Sequence, residues 1–208
     1  MISAFEALQQ LKEGNQQFMT GIQGKSFHPI QQNQIKLVRN QKPIAIILGC
    51  SDSRVPAEIV FNQGLGDLFV IRVAGNIVAP SQVGSIEFAA ERFGTKLVVV
   101  LGHTECGAID ATIQELRRPS ENRSPNLHAI VSRVIPAVET LLESNLNIDE
   151  KNLMKLAVRS NIRTSVNQLR HGSQILEKLI DESGLYVVGA EYSIETGQVN
   201  FLDNIIPN

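Results

Sequence analysis

Four short aliphatic runs constrain this chain more than any other feature. They are Pro43-Ile-Ala-Ile-Ile-Leu-Gly49, Asp67-Leu-Phe-Val-Ile-Arg-Val73, Lys96-Leu-Val-Val-Val-Leu101 and Leu185-Tyr-Val-Val-Gly-Ala190. Runs of this length without polar alternation read as strands buried on both faces. Helical patterns separate them, which demands parallel pairing with helices covering the sheet. After Ser193-Ile-Glu-Thr-Gly197, a turn, Gln198 to Leu202 reads as an antiparallel edge strand. The expected fold is therefore α/β: a mainly parallel central sheet of four strands plus an antiparallel edge strand, with helices on both faces. The chain has 208 residues, 43% of them hydrophobic, enough for one domain with a real core. Residues 1–208 form that domain, and 1–42 form an N-terminal helical arm.

The helices can be placed by their caps and breaks. Ser3 and Glu6 make a capping box for a first helix carrying Phe5, Leu8, Leu11 and Phe18, with Gly14 as an interruption. Gly21 to Pro29 reads as a loop and Gln31 to Asn40 as a helix stopped by Pro43. Pro56 to Asn62 is a short helix. Gln82 to Phe93 is a helix with Ile86, Phe88, Ala89 and Ala90 on or near its inner face. Another helix follows Gly107 and ends near Arg118, and Pro119 to Pro125 is a polar loop. Leu127–Glu143 and Asp149–Glu182 are longer helical stretches, the second broken near His171-Gly172.

Chemistry collects where two of the strands end. Cys50-Ser-Asp-Ser-Arg54 follows the first, placing a thiol, a carboxylate and a guanidinium on alternate residues, hence on one side of an extended chain. Alone, it also reads as a small buried hydrophobe beside a local ion pair. Gly102-His-Thr-Glu-Cys-Gly107 follows the third, and His103 and Cys106 at i, i+3 can face one way as a helix begins. A helix start also favours a thiolate at Cys106. Right-handed crossovers can bring parallel strand ends side by side, so Cys50, His103 and Cys106 can meet at one zinc ion, with water or Asp52 in the fourth position. Three alternatives stand beside this: His103 as a satisfied core histidine, Cys50 and Cys106 as a redox pair, and zinc in a purely structural role with Asp52 as permanent ligand.

Composition removes other classes. The formal net charge of −2 with interspersed charges gives no footprint for nucleic acid. No apolar run reaches membrane-spanning length, and the N-terminus lacks a secretory pattern. Two cysteines 56 positions apart make a poor disulfide framework, so a reducing cytoplasm is expected. No Gly-x-Gly-x-x-Gly follows a strand, which leaves dinucleotide binding without its phosphate loop.

With these residues in hand the chain resembles the prokaryotic β-carbonic anhydrases, zinc enzymes that interconvert carbon dioxide and bicarbonate. The match runs through Leu11-Lys-Glu-Gly-Asn15, Cys50-Ser-Asp-Ser-Arg-Val-Pro-Ala-Glu58, Gly66-Asp-Leu-Phe-Val-Ile-Arg72 and Ala74-Gly-Asn-Ile-Val78. It continues in Gly84-Ser-Ile-Glu-Phe88, Gly102-His-Thr-Glu-Cys-Gly107 and Val188-Gly-Ala-Glu-Tyr192. The resemblance implies one zinc per chain on Cys50, His103 and Cys106, an Asp52–Arg54 dyad beside it, and hydroxide on the zinc attacking carbon dioxide. It implies a homodimer, often paired into a homotetramer, whose N-terminal helices embrace the partner. It also places Gln41 where one branch of the family reaches substrate across the dimer interface, and Phe69 and Val73 along the carbon dioxide pocket. Another branch uses a tryptophan at the position of Ile47 for a regulatory bicarbonate pocket. This chain contains no tryptophan, so Arg72 and Tyr192 are expected to serve packing and hydrogen bonding instead. His28, His128 and His171 read as surface residues.

Overall fold

The apolar runs become β1 (Ala45–Gly49), β2 (Leu68–Arg72), β3 (Leu97–His103) and β4 (Tyr186–Tyr192), followed by a short β5 (Val199–Phe201). The sheet order is β2-β1-β3-β4-β5; the first four strands are parallel, and β5 pairs antiparallel to β4. This is the architecture expected from the sequence. The computed structural model describes residues 2–22, 41–119, 124–144 and 148–203. The expected helix from Gln31 to Asn40, most of the loop before it, and His28 lie outside the described residues.

Strand alternation divides the core in two. Ile46, Leu48, Val98, Val100 and Val187 point to the face covered by α3 (Pro80–Phe93), α4 (Gly107–Arg117), α5 (Pro125–Glu143), α6 (Glu150–His171) and α7 (Gln174–Ser183). Ala45, Ile47, Leu97, Val99, Leu101 and Val188 point to the other face, covered by α1 (Ala4–Ile22) and α2 (Ala57–Val60). Each fully buried Leu or Ile contributes about 1.5–3 kcal/mol, so both faces hold the sheet firmly. Among the described residues no helix is long and apolar enough to cross a membrane.

The Ser3–Glu6 capping box forms: Ser3 N–H donates to Glu6 Oε2 at 2.7 Å and Glu6 N–H donates to Ser3 Oγ at 3.2 Å. Gly14, however, does not interrupt α1, and Gly21 belongs to it. A Cβ at Gly14 would lie 1.8 Å from the Phe61 carbonyl oxygen, so the glycine lets α1 press against the end of α2. Its neighbour Asn15 completes the joint. Asn15 Nδ2 donates to the carbonyls of Val60 and Gly197 (3.0 and 2.9 Å), and Oδ1 accepts from Val199 N–H at 2.9 Å.

Other boundaries shift for local reasons. Pro80 and Pro125 occupy the first turns of α3 and α5, starting each two residues earlier than expected. Phe88 is 54% exposed rather than inward, its ring resting edge-on against Phe93 with centroids 5.7 Å apart. The break between α6 and α7 falls at Gly172, with Ser173 accepting from Leu176 N–H to cap α7. Over the sheet, Ile162 of α6 sits in a hollow left by Gly102 and Gly189. A Cβ at either would approach its side chain to 2.6 or 2.7 Å.

Candidate metal centre

In the parallel register Gly49 pairs with Leu101, so β1 and β3 end side by side. Cys50 leaves the first end and His103 closes the second. Between His103 and Cys106 the chain turns back through Glu105, whose φ of 55° is left-handed, and Cys106 then caps the N-terminus of α4. The result is three ligand atoms, one each from Cys50, His103 and Cys106, all within 4.8 Å of one another and all buried.

The protonation pattern suits a cation. His103 is fully buried; its Nδ1 lies 2.8 Å from the Thr104 carbonyl, which accepts only and so fixes the proton on Nδ1. Nε2 is left bare, with no hydrogen-bond partner among the described residues. A core histidine held only for packing would not strand a buried acceptor in this way. Both cysteines are free thiols. The Cys106 thiol is the largest influence on Cys50, bringing it down to about 4 against the opposing effect of burial, helped by His103 and the Gly75 N–H. Cys106 moves in the opposite direction, raised by that same interaction and by burial, although amides at the start of α4 oppose the rise. The two sulfurs thus act on each other in opposite directions, and a divalent cation between them would hold both as thiolates. Burial pulls His103 down, but Cys50, the Thr104 carbonyl and Asp52 together carry it upward.

Beside the cluster, Arg54 grips Asp52 with both ends of its guanidinium: Nε to Oδ1 at 2.9 Å and Nη2 to Oδ2 at 2.7 Å. Arg54 N–H also donates to Oδ1 at 2.9 Å. The Arg54 side chain chiefly holds the Asp52 carboxyl well below the usual carboxylate range. Asp52 Oδ2 remains 3.8 Å from His103 Nε2, next to the cluster with its carboxylate on Arg54. Arg54 Nη2 bridges the two halves by donating to the Glu105 carbonyl at 3.2 Å. Arg72, at the end of β2, donates from Nε to the Cys50 carbonyl at 2.9 Å and from Nη2 to the Asp52 carbonyl. Gly75 N–H donates to Cys50 Sγ at 3.4 Å.

The remaining candidates are spread more widely. Gln41 is exposed on the segment entering β1. Phe69 pairs with Ile46, near the opposite end of the strands from the cluster, and its ring lies 6.3 and 6.0 Å from those of Phe88 and Phe93. Val73 follows β2 and packs partly buried against the larger core. Ile47 and Tyr192 are buried on the α1 side, where burial raises the Tyr192 phenol and its carbonyl accepts from Thr104 N–H at 3.0 Å. His128 and His171 are exposed, as expected. Sequence reasoning missed Gly75 and Glu105. Their backbone roles carry no side-chain signal, although Ala74-Gly-Asn76 does mark a turn.

Comparison with known proteins agrees with this geometry. The family model described as carbonic anhydrase matches residues 45–199. Carbonic anhydrase 2 of Mycobacterium tuberculosis is 35% identical over 209 residues, covering 98% of this chain and 94% of its own. The carbonic anhydrase of Mycolicibacterium smegmatis is 35% identical over 207 residues with the same coverages. Among solved structures, a β-carbonic anhydrase of Aspergillus fumigatus superposes with a TM-score of 0.74 at 25% identity, over 84% of this chain and 82% of that one. One of two tetrameric β-carbonic anhydrases from Sordaria macrospora gives 0.72 at 26% identity, over 88% and 89%.

Proposed function

The chain belongs to the β-carbonic anhydrase family, and on that premise we propose that it reversibly hydrates carbon dioxide to bicarbonate and a proton at a zinc ion held by Cys50, His103 and Cys106. The observation that carries this reading is the bare, buried Nε2 of His103 beside two buried thiols. Zinc bound there would act as a Lewis acid, lowering the pKa of a coordinated water to roughly 7 and so supplying the nucleophile near neutrality.

The chain's own residues do the rest. The two cysteines hold the ion as thiolates and donate charge to it, while His103, its tautomer set by Thr104, gives Nε2. Asp52 accepts a hydrogen bond from the attacking water and turns its lone pair toward the substrate carbon. Arg54 keeps that carboxylate ionised and in place. Released from Arg54, Asp52 would serve instead as a fourth protein ligand to zinc and close the site to water. Arg72 steadies both the Cys50 and Asp52 carbonyls, so strand β2 is part of the frame.

The same reading takes 1–208 as one domain acting as a homodimer or homotetramer in the cytoplasm. Gln41 reaches the neighbouring site, while α1 covers its own chain's sheet. Val73, just after β2, provides apolar surface for carbon dioxide, which offers no charge to grip. The test is stopped-flow carbon dioxide hydration read beside metal content. Activity proportional to bound zinc, lost on chelation and restored by zinc, is expected. A fully zinc-loaded protein with no rate above the buffer would overturn the reaction, and full activity without metal would overturn the zinc.

A further inference from the structure

Deepening the zinc reading, on which it rests, we infer that Asn161 of α6 is a positioning residue for the Cys50 sulfur, acting through the turn at Ala74–Asn76. Among the described residues Asn161 makes no hydrogen bond to any of the three ligands. It is 2% exposed, and its Nδ2 donates to the Gly75 carbonyl at 2.8 Å. One turn further along α6, Ser165 Oγ donates to the Asn76 carbonyl at 3.1 Å. The turn they hold is an uncommon one. Gly75 and Asn76 both have positive φ, 69° and 43°; glycine adopts this freely, but Asn76 does so at a cost that the two anchors offset.

That shape aims Gly75 N–H at Cys50 Sγ, 3.4 Å away. An N–H donor on a thiolate withdraws charge from the sulfur. It lowers the donation to a bound metal and orients the lone pairs left for that metal. A helix that supplies none of the three ligands therefore sets the electronic character of one of them. Asn161 acts on the sulfur through Gly75 itself. Ser165 holds only the next carbonyl and gives a control with the same anchoring role but a weaker link to the sulfur.

The experiment compares wild type, Asn161→Ala and Ser165→Ala, each loaded with cobalt(II) for its sulfur-to-metal charge-transfer spectrum and with zinc for affinity by chelator competition. Thermal melts of the zinc forms are recorded alongside. With the amide no longer aimed, the sulfur regains charge but its lone pairs lose their orientation, so Asn161→Ala should move the charge-transfer band to longer wavelength and weaken zinc binding about tenfold. Ser165→Ala should lower the melting temperature with little movement of the band. If Asn161→Ala fails to fold, Asn161→Ser, smaller but still able to donate, takes its place and should show the same shift at reduced size. An Asn161 variant with lowered melting temperature but unchanged band and affinity overturns the inference, as does an equal shift in Ser165→Ala. A wild type that takes up neither cobalt nor zinc overturns the metal reading first, and this inference with it.

Discussion

The two halves of the candidate site are built on opposite plans. The half from the end of β3 is buried and fixed by backbone: His103 is 0% exposed, Cys106 1%, and the turn between them is set by Glu105 and by Thr104 bonding to β4. The half from the end of β1 has one buried member, Cys50, and then opens. The Arg54 side chain is 49% exposed and Asp52 is held by side-chain bonds that solvent can reach. A metal ligand set must stay put, because each lost ligand weakens the whole coordination shell. A residue that handles water must be able to change partners. The contrast assigns holding to the β3 half with Cys50, and handling of water to Asp52 and Arg54.

The largest effect should follow from breaking the fixed half. Cys106→Ser removes a thiolate from the start of α4 and should lower zinc affinity more than a hundredfold, beyond what outer partners typically cost. Hydration should fall to background. Metal analysis after dialysis against a mild chelator measures it. A variant that keeps a full zinc equivalent and wild-type rates would mean that Cys106 is not a ligand.

Breaking the open half should separate activity from metal. Arg54→Ala frees Asp52 from its bidentate partner and should lower kcat by about 10²-fold with zinc content unchanged, the scale expected when a positioned proton-handling group is lost. Stopped-flow rates paired with metal analysis on the same sample give both numbers. If rate and zinc fall together, the division between the halves is wrong.

Much of this contrast was legible in the sequence, and for definite reasons. The cluster was readable because Cys50 follows one uninterrupted apolar run and His103 and Cys106 close another, and a strand end is where a buried sheet meets solvent. Sheet direction was readable from helices lying between strands, but strand order was not, since it depends on which crossover each helix takes. Gly14 shows why local rules failed. A glycine in a helical pattern reads as a break until the Phe61 carbonyl, 47 positions away, is seen to need the space. Phe88 turned outward, its ring meeting Phe93 edge-on and Phe69 at a tilt, a cluster that helical spacing alone does not reveal. Gly75 N–H on Cys50 was invisible for the same reason: it is a tertiary contact made by backbone.

A milder change tests how rigid the β3 end must be. Gly102→Ala places a methyl 2.6 Å from the Ile162 side chain, one residue before His103. Overpacking of this kind costs about 1–3 kcal/mol, and Ile162→Val in the same chain should recover part of the melting temperature by making room. Full stability of the single variant would show that the sheet end yields more easily than the contrast requires.

The smallest effect expected is on stability from the open half. Arg54 holds Asp52 below the ordinary carboxylate pKa, so the folded state binds a proton at Asp52 less readily than the unfolded chain does. Such a group stabilises the fold fully above the unfolded value, about 4. That contribution is lost as pH falls through the lower folded value. Because Arg54 is half exposed, solvent screens the pair, and its contribution at neutral pH should be small. The melting temperature of Arg54→Ala should therefore sit only slightly below wild type from pH 5 to 8, with the gap narrowing below about pH 4. The zinc ligands are the same in both proteins, so acid release of metal affects each and largely cancels in the difference. A large gap at neutral pH, or one that widens in acid, would make Arg54 a structural strut. The open half would then be as fixed as its neighbour.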